Sequence, residues 1–383
     1  MSVVYLHIGL PKTGTTHLQD RLWRNRDLAL DSSGLLYPGN EIADHFHAAA
    51  HLQPERYLDW VDPEFASAWP TMVAQMKAWP ERSLVSHELL ATATEPQIGK
   101  LMSDLGFADD VHVVVTVRDL GRQLPSVWQE NVKNQRTATF AEFVDSVRAH
   151  AGGPHTPAAG GDGPSRQARV GEEPFWEFQD YVRILRTWAP FVGPDRVHVI
   201  TVPQTRGGDE LWNRFLSVIG VDPAALTIAV PDLNSSLSAV QTEFVRRLNT
   251  RLQPDAIEWR RYERVMKGQI IGEILFAERG GTPRRISGEQ LAWAAEQSRA
   301  MIAEIAAAGY RIAGDLDDLA LARPDDAVPE PTDADVLEVA LDTVAALVVS
   351  APLPRVRPRW QTRAANVVRR GRRRVLGMRR HLR

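Results

Sequence analysis

No other stretch of this 383-residue chain restricts its fold as strongly as Val111–Val117, which reads Val-His-Val-Val-Val-Thr-Val. A nearly continuous β-branched run is typical of a strand that is buried on both faces, as in the centre of a parallel sheet. Three other runs also predict strands, namely Val3–Ile8, Ser83–Ser86 and Arg196–Val202. Because segments with helical spacing separate them, the sequence predicts a three-layer α/β/α fold with a central, mainly parallel sheet.

The remaining chain divides into segments of different composition. We expect one globular domain over residues 1–314, with a flexible Gly- and Pro-rich insertion at 150–174 and a helical C-terminal part. Residues 315–350 read as an acidic linker and helix. Residues 351–383 hold twelve arginines and no acidic residue, and we expect this basic tail to be disordered because it can bury little apolar surface.

Composition narrows the functional classes. The sequence has no cysteine, so disulfides, thiolate metal sites and a cysteine nucleophile are ruled out. Its first residues do not resemble a signal peptide, and no stretch approaches the roughly 20 apolar residues of a membrane span. We therefore expect a cytoplasmic protein, peripheral to a membrane at most through the basic tail. That tail could contact anionic lipid or an acidic surface, whereas nucleic acid is not an expected partner.

A glycine-bounded loop, Gly9–Thr16, follows the first predicted strand and opens a helix. A helix N-terminus presents free N–H groups and a positive dipole end to an anion. Gly14 allows close backbone approach, Thr15 and Thr16 offer hydroxyl donors, and Lys12 adds a positive charge. The segment therefore predicts a phosphate-binding loop. A purely structural turn with two capping threonines is the alternative interpretation.

The loop differs from that of nucleotide triphosphatases, which place a lysine after the second glycine of G-x-x-x-x-G-K-[ST]. Here Thr15 follows Gly14, so an ATP-dependent P-loop phosphotransferase is the weaker interpretation. Pro11-Lys12-Thr13-Gly14-Thr15-Thr16 instead resembles the 5′-phosphosulfate-binding loop of sulfotransferases that use 3′-phosphoadenosine 5′-phosphosulfate (PAPS). This resemblance implies a P-loop-kinase-like sulfotransferase fold. It also implies that the loop holds the 5′-phosphate and that Lys12 stabilises charge on the bridging oxygen.

A second candidate anion site follows the Val111–Val117 strand. Arg118 comes directly after it, and Ser126 comes eight residues later, where we expect the next helix to begin. Ligands of open α/β sheets bind beyond the carboxyl ends of the strands, and an arginine fork with a hydroxyl can hold a phosphate. An Arg118–Asp119 ion pair with Ser126 as a helix cap is the simpler alternative. The spacing resembles the family's 3′-phosphate motif, which implies selectivity for PAPS over ATP.

A candidate base lies between these two motifs. His87 and Glu88 follow the predicted strand Ser83–Ser86, and histidine has a pKa suited to accepting a proton. The position resembles the catalytic histidine of cytosolic sulfotransferases, although carbohydrate sulfotransferases use a glutamate. A His-Glu pair that only caps the next helix is the structural alternative. His45, in the histidine-rich segment Asp44–His51, is a further candidate base.

Together these features predict sulfuryl transfer from PAPS to a hydroxyl of a carbohydrate, lipid or small metabolite. Lys12, His87 and Glu88 are the candidate catalytic residues, and 3′-phosphoadenosine 5′-phosphate (PAP) is the product. No metal is expected, because protein groups neutralise the leaving phosphate; His47 and His51 share a helix face without an evident third ligand. The alternatives are the ATP-dependent phosphotransferase and a non-catalytic anion-binding relative.

Overall fold

The computed structural model describes residues 1–57, 62–152, 174–205, 208–230, 236–278, 280–321 and 328–351. Within these residues one sheet is present, and its strands are β1 (Val3–His7), β2 (Leu35–Leu36), β3 (Arg82–Ser86), β4 (Asp110–Val117), β5 (Val197–Thr201) and β6 (Arg311–Ala313). The strand order is β2-β3-β1-β4-β5-β6, and every neighbouring pair is parallel.

Helices supply the other layers. They are α1 (Thr15–Arg24), α2 (Arg26–Ser33), α3 (Asp44–His51), α4 (Ala68–Ala78), α5 (Glu95–Asp104), α6 (Leu120–Lys133), α7 (Phe140–Ala149), α8 (Phe175–Gln179), α9 (Tyr181–Val192), α10 (Glu210–Ile219), α11 (Ala239–Asn249), α12 (Trp259–Tyr262), α13 (Gly288–Ala307) and α14 (Asp333–Ser350). A π-helix, Glu263–Leu275, continues α12. Single 3₁₀ turns occur at Pro63–Phe65, Glu88–Thr92, Pro194–Arg196, Pro223–Ala225 and Leu316–Leu319.

Two helical layers cover the sheet. On one side the apolar faces of α1 and α10 meet the sheet, and their buried members include Leu18, Leu22, Trp212 and Phe215. Burying a side chain of this size stabilises the fold by about 1.5–3 kcal/mol. In the other layer α9 packs on β4 and β5, and both α5 and α13 pack on α9. The predicted three-layer α/β/α fold with a parallel sheet is therefore confirmed.

The sheet order places several loops at one edge. The chain passes from β1 to β2 and β3 on one side of β1, and then to β4, β5 and β6 on the other. Leu6 of β1 accordingly pairs with Val85 of β3 and with Val113 of β4. Such a reversal of strand order opens a crevice at the carboxyl ends of the strands, where ligands of α/β proteins bind. The loops after β1, β3 and β4 meet there.

The chain divides into two compact units, Met1–Val339 and Ala340–Arg383. The flexibility expected of the insertion and of the basic tail concerns residues 153–173 and 352–383, which lie outside the described residues. In the part of the chain that the structure does describe, no helix combines the length and the apolar character needed to cross a membrane.

Candidate functional site

The loop between β1 and α1 is held in shape by β4. Backbone N–H groups of Ile8 and Leu10 donate to the carbonyls of Val114 and Thr116, both at 3.0 Å. The hydroxyl of Thr13 donates to the carbonyl of Leu10 at 2.5 Å and lies 2.5 Å from the Thr116 hydroxyl. Thr13 is buried, so its side chain fixes the loop internally and does not face a ligand.

The start of α1 is open to solvent. Gly14 precedes the helix with φ 96°, a left-handed conformation that costs a residue with a Cβ about 1–2 kcal/mol. A Cβ on Gly14 would also lie 2.8 Å from a methyl group of Leu211. Gly14 occupies the N-cap position and has no side chain with which to cap α1, and Thr16 is exposed whereas Thr15 is buried. The N-terminus of a helix that starts at an exposed glycine is a place where an anion can approach the backbone, and the predicted phosphate site stays a prediction.

Lys12 extends from this loop towards α6. Its ammonium nitrogen Nζ lies 2.9 Å from Oε2 of Glu130, and both side chains are about one-third exposed. Burial raises the pKa of Glu130, but the charges of Lys12 and Lys133 lower it by more, so that the pKa falls from its usual value to about 2. The Glu130 carboxylate is therefore ionised at neutral pH, and it sets the direction of the Lys12 side chain.

Arg118 connects the two candidate anion motifs. It follows β4 directly, and its Nη1 donates to the backbone carbonyl of Lys12 at 3.2 Å. The Gln123 amide also reaches the loop, donating to the carbonyl of Pro11 at 2.7 Å. The start of α6 and the strand end that carries Arg118 are thus fastened to the loop.

The expectation that Ser126 begins a helix was wrong. Helix α6 begins at Leu120, and Asp119 caps it by accepting the N–H of Arg122 at 2.9 Å. The Asp119 carboxylate pairs with the Arg122 guanidinium. Ser126 lies one turn before Glu130 on the same face of α6. Asparagine and aspartate are strong caps, and the sequence analysis overlooked Asp119 in that role.

His87 and Glu88 directly follow β3 beside the loop, and His87 has a capping role. The N–H of Leu89 donates to Nδ1 of His87 at 3.2 Å, which starts the turn Glu88–Thr92. Because Nδ1 accepts, the proton of the neutral ring resides on Nε2. Burial lowers the pKa of His87, partly offset by Glu88, so the ring is neutral at neutral pH.

Glu88 is held against the loop from the other side. Its Oε2 accepts a hydrogen bond from the Gln19 amide of α1 at 3.2 Å. A Cβ on Gly9 would lie 2.9 Å from the Cβ of Glu88, so Glu88 stands in contact with the first glycine of the loop. Burial raises the pKa of Glu88, but His87, a backbone N–H and Gln19 bring it below its usual value. Glu88 is therefore ionised at neutral pH.

Two histidines of the segment Asp44–His51 pack against their neighbours. His45 is buried, its Nδ1 accepts the N–H of Ser86 at 3.3 Å, and burial lowers its pKa to about 3. His47 stacks on Phe65 with ring centres 3.9 Å apart. Across the described ranges, no three His, Cys, Asp or Glu side chains gather where a metal ion could be held.

Two residues beside the candidate site, Gln19 and Glu130, could not be recognised from the sequence alone. Gln19 and Glu130 are ordinary polar helix residues in sequence, and only the fold shows that they bond Glu88 and Lys12. The one available signal is spacing: Glu130 follows Ser126 by four residues and so shares its helix face.

Comparison of the chain with protein-family models, curated proteins and solved structures returned no match.

Proposed function

We propose that this protein transfers a sulfuryl group from PAPS to a hydroxyl acceptor. The observation that carries the proposal is the hydrogen bond from Arg118 to the carbonyl of Lys12. It joins the two motifs that resemble those of sulfotransferases, namely the loop and the Arg118–Ser126 pair, at one edge of the sheet. An open helix N-terminus with Gly14 suits a 5′-phosphate. An arginine at the adjacent strand end, with Ser126 on the following helix, suits a 3′-phosphate.

The protein must align the acceptor with sulfur, stabilise charge on the leaving oxygen and accept the proton of the acceptor. The acceptor oxygen attacks sulfur in line, the bond between sulfur and the phosphate oxygen breaks, and PAP leaves with that electron pair. Lys12 stabilises the charge that develops on this oxygen. Its ammonium has three donors, so it can retain Glu130 and still reach the leaving oxygen. The acceptor proton passes to a base, and the sulfated acceptor departs.

Glu88 is the base that this site supports best. The Nε2 of His87 carries the ring proton while its Nδ1 caps the following turn, so neither nitrogen is available to accept. Glu88 is ionised, contacts the loop, and has its side chain oriented by Gln19. We therefore assign proton acceptance to Glu88 and positioning of the turn to His87.

Replacement of Lys12 tests the proposal. Lys12→Ala is expected to lower transfer of sulfate from PAPS by about 10²- to 10³-fold, because it removes the donor to the leaving oxygen. The measurement is incorporation of labelled sulfate into small molecules of a cell extract, read by mass spectrometry as a gain of one sulfuryl group.

The matched control is Lys100→Ala. Lys100 is an exposed lysine of α5 that pairs only with Asp104 of its own helix among the described residues, so transfer should stay at the wild-type level. Near-normal turnover by the Lys12→Ala protein would refute the role of Lys12. An inactive wild-type protein would refute the proposed function.

A further inference from the structure

Three lysines surround one carboxylate beside the loop. We call Lys12, Lys133, Lys267 and Glu130 the lysine cluster. The Nζ atoms of Lys12 and Lys133 lie 2.9 Å and 3.6 Å from Oε2 of Glu130. The charge of Lys267 acts on the same carboxylate and lowers its pKa. Residues from the loop, α6 and the π-helix therefore meet at one place.

The charges in this cluster do not balance. Among the described residues, Glu130 is the one carboxylate within ion-pair distance of Lys12 and Lys133, and no carboxylate lies within that distance of Lys267. Lys267 donates instead to the neutral amide oxygen of Asn134 at 2.9 Å. Burial lowers the pKa of Lys133, and although Glu130 raises it, Lys12 and Lys267 lower it again. An added anion would relieve this repulsion between partly buried ammonium groups.

Aromatic rings accompany the lysines. The Nζ of Lys133 lies 5.4 Å from the ring centre of Phe276, and that of Lys267 lies 5.5 Å from the ring centre of Trp259. Positive charge beside apolar rings is suited to a ligand that has an anionic group on an organic body. A free inorganic anion would not use the rings.

The cluster also lies next to the reacting centre. Lys12 is common to the loop and to the cluster, and Glu130 is one helical turn from Ser126. Lys133 follows three residues later on the same face of α6, farther from Arg118. The cluster therefore extends from the loop away from the strand end to which the 3′-phosphate is assigned.

We propose that Lys133 and Lys267 bind an anionic group of the acceptor, so that this protein selects acceptors that carry a carboxylate, sulfate or phosphate ester. The inference rests on the proposed function, because it names the substrate class of that same site. A phosphate of the nucleotide has the same chemistry, and the experiment must separate the two sources.

The test uses the full-length double variant Lys133→Gln/Lys267→Gln, with Lys100→Gln as the matched control. PAP affinity is measured first by calorimetry, and we expect less than about a three-fold change in either variant. A cell extract is then divided by anion exchange into neutral and acidic small-molecule pools. Each pool is incubated with labelled PAPS and the wild-type protein, the double variant or the control.

We expect the wild-type protein and the Lys100→Gln control to label mainly the acidic pool, and the double variant to label it about ten-fold less. For an acceptor purified from that pool, KM should rise about ten-fold while kcat changes less than about three-fold. This split between KM and kcat distinguishes lost acceptor binding from a damaged fold.

Three results would overturn the inference while leaving the proposed function intact. They are labelling mainly of the neutral pool, undiminished labelling of the acidic pool by the double variant, and a double variant whose loss lies in PAP affinity. Absence of labelling in both pools by the wild-type protein would instead overturn the proposed function, and the inference with it.

Discussion

At the scale of single residues, the neighbours His87 and Glu88 differ in what their hydrogen bonds leave available. The Nδ1 of His87 is engaged by the N–H of Leu89, whereas the Glu88 carboxylate accepts from the Gln19 amide and the Glu88 Cβ lies against Gly9. Burial keeps the His87 imidazole neutral at neutral pH, whereas His87, a backbone N–H and Gln19 outweigh burial and keep the Glu88 carboxylate ionised. Environment, not residue type, therefore favours Glu88 over His87 as the proposed base.

We expect Glu88→Gln to lower kcat for sulfate transfer by about 10²- to 10⁴-fold, because it removes the proton acceptor. His87→Gln should lower kcat by less than about ten-fold, since a glutamine oxygen can still accept the Leu89 N–H. Steady-state kinetics with PAPS on both variants makes the comparison. A larger loss in His87→Gln than in Glu88→Gln would contradict the assignment.

The pH profile adds an independent check of the same assignment. A base acts while it is deprotonated, so activity is lost as the pH falls through its pKa. The pKa of Glu88 lies below its usual 4.5, so kcat should stay level from about pH 8 to about pH 5.5 and fall only below pH 4.5. A titrating histidine base would bring the loss to higher pH.

The sequence predicts the site residues that belong to a short local motif. It does not predict those that tertiary contacts bring in from distant parts of the chain. Lys12 and Gly14 belong to one short segment with an interpretable chemistry. Glu130 is 118 residues from Lys12, and Glu88 is 69 residues from Gln19, so no local pattern joins either pair. Only the packing of α1 and α6 around the loop shows these partners.

At the scale of elements, α6 is the helix that fastens Arg118 and the loop together. Its N-terminal turn is held by the Asp119 cap, while Arg122 donates to the carbonyls of Pro203 and Val202 after β5. The same turn provides Gln123, which bonds Pro11 of the loop. Loss of this turn would therefore loosen both candidate anion motifs.

We expect Asp119→Ala to lower the free energy of unfolding by about 1–2 kcal/mol, because the cap is lost and the partly buried Arg122 loses its carboxylate. Asp119→Asn keeps a capping oxygen and should cost less. Urea unfolding of both variants measures the difference. Equal destabilisation by the two substitutions would show that the ion pair, not the cap, holds the turn.

Element lengths explain which parts of the sheet were predicted. Strand β4 is eight residues long, consists mostly of β-branched residues and is buried from Val113 onwards, so its pattern is unambiguous. The edge strands β2 and β6 have two and three residues, which is too short for any period to show. Their pairing is set by the neighbouring strands β3 and β5 and not by their own residues.

At the scale of the whole molecule, the strand order accounts for the position of the candidate site. Because β1 lies between β3 and β4, the loop, the His87–Glu88 pair and Arg118 reach the same sheet edge from three separate parts of the chain. The sequence predicts this edge once a parallel sheet is assumed, since all carboxyl ends then point one way. It does not predict the order of the strands, which depends on long-range pairing.

Nucleotide selectivity tests the central claim that two anion sites hold opposite ends of one adenosine. The measurement is calorimetric titration of the full-length protein with PAP, with adenosine 5′-phosphate, and with ATP plus magnesium. We predict that PAP binds about 100-fold more tightly than adenosine 5′-phosphate, and that Arg118→Ala removes most of this preference. Equal binding of the first two nucleotides, tighter binding of ATP with magnesium, or an unchanged preference in Arg118→Ala would contradict the account.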